Sequence, residues 1–296
     1  MANEAYHSSE YFKQHRSMLI NGDPRALICF CIDVSQSMDE WWIEEGGLIR
    51  NTGTGFADGH NVRYFSFNDI RSGYAYYKKM DKLNEVLGSL LTDFKRDGEI
   101  RNKVAISIVV YSRFGKVLYD FLDCSDIDVA SCKCSVDRPE TAMGDGIRTA
   151  LSQLDEMEND LRYAGKDAYT PLLVFMTDGT PTDDPRNEFS LIRERVEKGE
   201  LHVFPLGIGD GADMVRLRDM FPVGKIPNGF SQRYKMVKPS DYDSIFKEIK
   251  SRVKQRQSVM VSEGNSVQSA PAIEDVRVNN NQMGESIEYD ELVSLM

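Results

Sequence analysis

Apolar positions along this chain fall into two patterns, short unbroken runs and longer stretches in which they recur every three or four residues. Unbroken runs read as strands buried on both faces, and the spaced pattern reads as helices with one buried stripe. Residues 26–32 form the first run, and a helix at 81–95 then aligns Leu83, Val86, Leu87, Leu90, Leu91 and Phe94. A β-branched strand at 104–111 follows, with a hairpin partner at 116–122. Beyond it the pattern predicts a helix at 144–163, a strand at 172–176, a helix at 187–198 and a strand at 201–206. A short helix at 213–220, a strand at 233–237 and a last helix at 242–256, with Ser240 and Asp241 as capping candidates, complete the series. Alternation of this kind predicts an α/β fold, a mostly parallel sheet covered by helices on both faces.

Oxygen-bearing side chains gather where predicted strands end. Asp33, Ser35 and Ser37 stand at alternate positions just after the first run. Thr141 precedes the helix at 144, and Thr177-Asp178-Gly179 ends the strand at 172–176. In an open α/β sheet, loops at the carboxyl ends of neighbouring strands converge on one crevice. One carboxylate and two hydroxyls within a tight turn suit a hard cation such as Mg²⁺. The local alternative is that Asp33 and the serines bond their own backbone and cap the next segment. Direct binding by Asp33, Asp178 and all three hydroxyls would leave a divalent ion nearly neutral and saturated.

These three segments resemble the metal-ion-dependent adhesion site of von Willebrand factor A domains. Residues 33–38, 141–144 and 176–183, read as DVSQSM, TAMG and MTDGTPTD, are most similar to the tellurium-resistance-associated, TerY-like branch. The resemblance covers roughly residues 24–257. It implies a doubly wound, mostly parallel six-stranded sheet with one antiparallel edge strand, the hairpin partner. It also implies that Ser35, Ser37 and Thr141 touch the ion while Asp33 and Asp178 act largely through water or join directly. An open position would remain for an Asp or Glu of another protein. Mg²⁺, Mn²⁺ and Ca²⁺ all accept oxygen ligands of this kind. The implied setting is a cytoplasmic adaptor in a bacterial stress-response or defence system, whose relatives are associated with a protein kinase and a metal-dependent protein phosphatase.

Three features depart from the family pattern. Pro139 and Glu140 stand where a glycine pair usually precedes the threonine, so Glu140 either occupies the open position or faces solvent. Asp183 and Asp184 follow the second aspartate and are read as helix caps. The largest departure is an insertion at about 39–80, between the serine motif and the first helix. It holds Trp41, Trp42, Phe56, Tyr64, Phe65, Phe67, Tyr74, Tyr76 and Tyr77, which suit either a partner-binding surface or lid, or a satellite core with an extra strand at 63–68. Residues 51–56 read as a loop.

Composition narrows the function classes. With 36 Lys and Arg against 47 Asp and Glu, the net charge is −11, which disfavours nucleic acid and anionic membranes. No run approaches a signal peptide or a membrane span, so a cytoplasmic location is expected. Cys29 and Cys31 are read as core packing; Cys124, Cys132 and Cys134 lack the paired spacing of common zinc sites. An enzyme is not expected. Haloacid-dehalogenase-like chemistry needs a carboxylate where Ser35 stands, and the dinucleotide-like GIGDGA at 207–212 lies late in the sheet without its acidic partner. The alternatives kept open are a metal-dependent phosphohydrolase and a module whose metal is purely structural. Domain organisation is read as an extension at 1–23, the domain at 24–257 and a polar, acidic tail at 258–296 expected to be disordered, whose end is either a solvating segment or a short docking helix.

Overall fold

In the computed structural model, the described residues are 26–45, 48–50, 54–57, 60–63, 74–98, 100–166, 169–208 and 235–237, with 16, 18–20, 212, 213, 217, 247 and 250 besides. Central strand β1 (Ala26–Asp33) is paired in parallel with β7 (Val104–Tyr111) on one side and β9 (Leu172–Thr177) on the other. Strand β10 (His202–Ile208) continues the sheet beside β9, and β11 (Lys235–Val237) continues it beside β10, both parallel. On the far side β8 (Gly115–Asp123) pairs antiparallel with β7, completing the six-stranded order β11-β10-β9-β1-β7-β8. The parallel sheet with one antiparallel edge is therefore as the sequence predicts.

Among the described residues, three long helices cover it: α1 (Lys79–Arg96), α2 (Met143–Tyr163) and α3 (Arg186–Glu197). Period-two alternation in β1 sends Ile28, Phe30 and Ile32 to one face, where Leu83, Leu87, Leu91 and Phe94 of α1 join them. Leu27, Cys29 and Cys31 go to the other face, against Ile147 and Leu154 of α2 and Ile192 of α3. Burial on both faces explains why the strands read as continuous apolar runs. The register of β7 against β8 is irregular around Ile108, and there the buried Ser107 hydroxyl donates to the Tyr119 carbonyl at 2.8 Å.

All five cysteines are buried free thiols. Burial pushes Cys132 and Cys134 up to about 12, so these thiols stay protonated at neutral pH. Leu19, within the stretch read as an extension, is buried in the α2 and α3 side of the core. Arg16 holds that segment to the domain, through Asp160 at 2.6 Å and Asp120 at 3.4 Å.

The insertion has strands of its own. β2 (Trp41–Glu45), β3 (Leu48–Arg50) and β6 (Tyr74–Lys78) form a three-stranded sheet in the order β3-β2-β6, and β4 (Thr54–Ala57) pairs with β5 (His60–Arg63). Residues 54–56 are thus strand where a loop was expected. Asp58-Gly59, between β4 and β5, is the sequence signature of a two-residue hairpin, which favours pairing of the flanking segments despite their glycines. Of the extra strand expected at 63–68, Arg63 is the last residue of β5, and 64–68 lie outside the described residues. So do most of the helices expected at 213–220 and 242–256, and the tail.

Candidate metal centre

The site is assembled at the carboxyl ends of β1, β7 and β9. Ile32 is in register with Met176, so Asp33 and Thr177 leave the sheet side by side. The Thr177 hydroxyl donates to Asp33 Oδ2 at 2.8 Å, and the Ser35 backbone N–H donates to Asp33 Oδ1 at 2.9 Å. That second bond closes a tight turn, after which residues Gln36–Asp39 form one turn of 3₁₀ helix with Met38 buried beneath it. The turn brings Ser35 and Ser37 together, with hydroxyl oxygens 2.9 Å apart. Ser37 donates to Asp178 Oδ1 at 2.6 Å. Each hydroxyl has one proton, so Ser35 is the donor to Ser37, and both protons point along one chain toward Asp178.

Thr141 arrives on a separate loop that is bonded to the first two. Asp137 N–H donates to the Val34 carbonyl at 2.9 Å, and Gln36 N–H to the Arg138 carbonyl at 3.0 Å. Thr141 N–H donates to the Thr182 hydroxyl at 3.0 Å, while Thr182 N–H returns a bond to the Thr141 carbonyl at 2.9 Å. A methyl group placed on Gly179 would lie 3.5 Å from Thr141 Oγ1 and 3.9 Å from Ser37 Oγ. Both hydroxyl oxygens therefore border the space over the Gly179 backbone. All five sequence-predicted residues, Asp33, Ser35, Ser37, Thr141 and Asp178, meet at this one place; Ser37 is partly exposed and the other four are buried.

Burial and the neighbouring Asp178 carboxylate push the Asp33 carboxyl up to about 7, against the lowering effect of its bonds to Ser35 and Thr177. Glu140 Oε2, on the residue before Thr141, is buried with no hydrogen-bond partner. The two acids read as caps divide their work. Asp184 Oδ1 accepts the Arg186 N–H at the start of α3, at 3.4 Å, whereas Asp183 Oδ2 accepts the Asp145 N–H in the first turn of α2, at 3.1 Å. Asp183 thus caps a helix that precedes it in sequence.

One buried charge beside the candidate ligands escaped the sequence reading. Lys79, the first residue of α1, is 1% exposed, and its ammonium lies 2.6 Å from Asp178 Oδ2 and 3.1 Å from Glu40 Oε2. Its signal was present in the helical period, because Lys79 sits four residues before Leu83 and seven before Val86, on the buried stripe.

The sequence pattern of the von Willebrand factor type A domain matches residues 71–252, and the chain belongs to that family. The match begins within the last part of the insertion, after Asp33, Ser35 and Ser37, although β1, which carries them to the site, is central in the sheet. Among solved structures, the PilB minor pilin from Streptococcus sanguinis is similar at 16% identity and TM-score 0.50, over 83% of this chain and 64% of its own. The pilus adhesin SpaC from Lactobacillus rhamnosus GG is similar at 11% identity and TM-score 0.50, over 79% of this chain and 31% of its own. A von Willebrand factor type A protein from Catenulispora acidiphila has 13% identity and TM-score 0.46, over 78% and 43%. The chain spans less than two thirds of each of these proteins, and at such identities the likeness concerns the fold. No curated protein sequence matches it.

Proposed function

We propose that this domain is a divalent-cation-dependent protein-interaction module that receives an Asp or Glu side chain of a partner protein at a metal-ion-dependent adhesion site. The observation that carries this reading is the single hydrogen-bonded chain from Ser35 through Ser37 to Asp178, beside Thr141 and Asp33, at the carboxyl edge of the sheet. The donor set fits Mg²⁺ or Mn²⁺: it is all oxygen, two of its hydroxyls flank the Gly179 backbone, and Glu140, the residue before Thr141, carries a buried carboxylate oxygen with no hydrogen-bond partner. Ser35, Ser37 and Thr141 would hold the ion, with Asp33 and Asp178 joining directly or through water. When bound, the ion supplies an electrophilic position for a carboxylate. The protein's own part is to fix the three loops before any ligand arrives, which the bonds through Thr177 and Thr182 achieve.

The reading extends to a cytoplasmic, non-enzymatic adaptor of a bacterial stress-response or defence system, with an associated kinase and metal-dependent phosphatase as partners. Its support is the TerY-like sequence of the three loops and the hydroxyl, rather than carboxylate, at Ser35, two residues after Asp33. No helix among the described residues is long and apolar enough to cross a membrane.

The test is an affinity capture from lysate with wild-type protein in Mg²⁺, wild-type protein in EDTA, and a folded Thr141→Ala variant. A partner retained only by wild-type protein in Mg²⁺ is expected. Identical retention in all three samples would overturn cation-mediated recognition. Mg²⁺-dependent turnover of an aryl phosphate, lost in Asp33→Asn, would replace the module with a phosphohydrolase.

A further inference from the structure

Lys79 is an unusual place for a positive charge. It is buried, and it lies in the first turn of α1, where the helix dipole opposes a cation. Removing an ammonium from water is costly unless anions compensate it closely. Asp178 and Glu40 do so, at 2.6 and 3.1 Å. A protein that needed only a packed helix start would place an apolar residue at this point of the stripe. The ammonium is held against the metal-site carboxylate by construction.

The same contact closes the base of the insertion. Glu40 immediately precedes β2, and Lys79 immediately follows β6. They are joined twice, by the side-chain ion pair and by the Lys79 N–H bond to the Glu40 carbonyl at 3.2 Å. A second rung lies beside it, where Lys78 Nζ donates to Asp39 Oδ1 at 2.8 Å. The two ends of the inserted segment are therefore clasped to each other and, through Lys79, to Asp178.

We infer that Lys79 is a tethered cation that shares Asp178 with the divalent ion, so that ion binding and the clasp at the base of the insertion are coupled. This rests on the metal-site reading above. Both Asp178 oxygens are already engaged, Oδ1 by Ser37 and Oδ2 by Lys79. An arriving cation must draw on the same carboxylate and is repelled by the ammonium beside it. Each gain at the ion is a loss at the clasp, and by linkage a change at the insertion alters ion affinity by the same factor. The aromatic insertion is thereby placed to report the state of the site, or to set it when a partner engages.

The experiment is Mn²⁺ titration by calorimetry of wild-type protein, Lys79→Met, Lys79→Gln and Lys79→Arg, with folding checked by circular dichroism. Removing the charge is expected to tighten Mn²⁺ binding at least tenfold in the Met and Gln variants, while Lys79→Arg stays within about threefold of wild type. Equal or weaker binding by folded Met and Gln variants would overturn the inference while leaving the metal site intact. Failure of wild-type protein to bind Mn²⁺ at all would remove the underlying site as well. Hydrogen exchange on wild-type protein keeps the test decisive if the variants do not fold. Mg²⁺ should accelerate exchange in residues 40–45 and 74–79 at least twofold, and unchanged exchange there despite Mg²⁺ binding would refute the coupling.

Discussion

Gly146→Ala is expected to destabilise the domain and loosen the metal loops together. A methyl group at this position of α2 would lie 2.5 Å from Tyr111 Cγ, 2.6 Å from Cδ1 and 2.8 Å from Cβ. Those are atoms at the root of the ring, and the ring cannot swing aside. Tyr111 stacks on Phe175 with centroids 5.7 Å apart, and its hydroxyl donates to the Met176 carbonyl at 3.0 Å. Two opposing terms decide the sign. Alanine raises helix propensity by about 1 kcal/mol over glycine. Overpacking a filled core costs roughly 1–3 kcal/mol, and three sub-contact approaches to a pinned ring place this site at the upper end. The net loss is about 2 kcal/mol, which at roughly 2–4 °C per kcal/mol for a domain of this size lowers Tm by about 4–8 °C. Because the Tyr111 carbonyl accepts the Val34 N–H at 2.8 Å, displacement of this strand end reaches the serine loop, and Mn²⁺ affinity should fall as well. Gly98→Ala is the control, since nothing lies within 4 Å of a methyl there; it should leave Tm unchanged or raise it slightly. Differential scanning calorimetry of the two variants gives the answer. Equal stability of Gly146→Ala and wild type would refute the packing argument.

Three further outcomes follow from the site and the core. Mg²⁺ or Mn²⁺ at about a hundred times its Kd should add about 2.7 kcal/mol to wild-type stability, and Asp33→Ala should abolish the gain; melting indifferent to metal and EDTA would count against the site. In EDTA, the raised carboxyl of Asp33 means that the folded state holds a proton the unfolded chain has released above its ordinary value near 3.8. This contribution is therefore fully present at low pH and is lost as pH rises toward about 7, so the stability advantage of wild type over Asp33→Asn should shrink across that window; an advantage growing with pH would reverse the assignment. The buried thiols should be silent to Ellman's reagent in the native protein at pH 8 and give all five equivalents in denaturant, and rapid native labelling would contradict the burial of Cys132 and Cys134.

What the sequence disclosed, and what it hid, follows from how locally each feature is encoded. Strands β1, β7 and β9 were legible because burial on both faces makes them nearly continuous apolar runs, broken inside only by Ser107 of β7. Candidate ligands were legible because each lies near the end of a strand or the start of a helix, and α/β topology brings such ends together. Lys79 was missed because the reading began α1 at residue 81, two residues late, and because a lysine on an apolar stripe is ordinarily solvated. Its partner Asp178 lies 99 residues away, so no local pattern announces the pair. Asp183 posed the same difficulty: it was assigned to the following helix, the local choice, whereas it caps the preceding one across the crevice.

The insertion shows why a large departure from the family pattern leaves the site intact. A segment of this length between the serine turn and α1 would displace the helix if its ends were far apart. They are not: Trp41 is in register with Lys78 across β2 and β6, so the added chain leaves and returns at adjacent backbone positions. The added chain therefore closes on itself as an antiparallel pair before α1 begins. Loop-closure entropy grows only slowly with length, so the inserted residues cost little beyond what a short connection would, once the first rungs of the pair have formed. The 3₁₀ turn at Gln36–Asp39 keeps Met38 in the core, and α1 still places Leu83 and Leu87 against β1. The demand falls on the base of the pair, where Glu40 and Lys79 meet. There an ordinary ion pair would have closed the insertion; adding Asp178 to it joins the closure to the candidate metal centre.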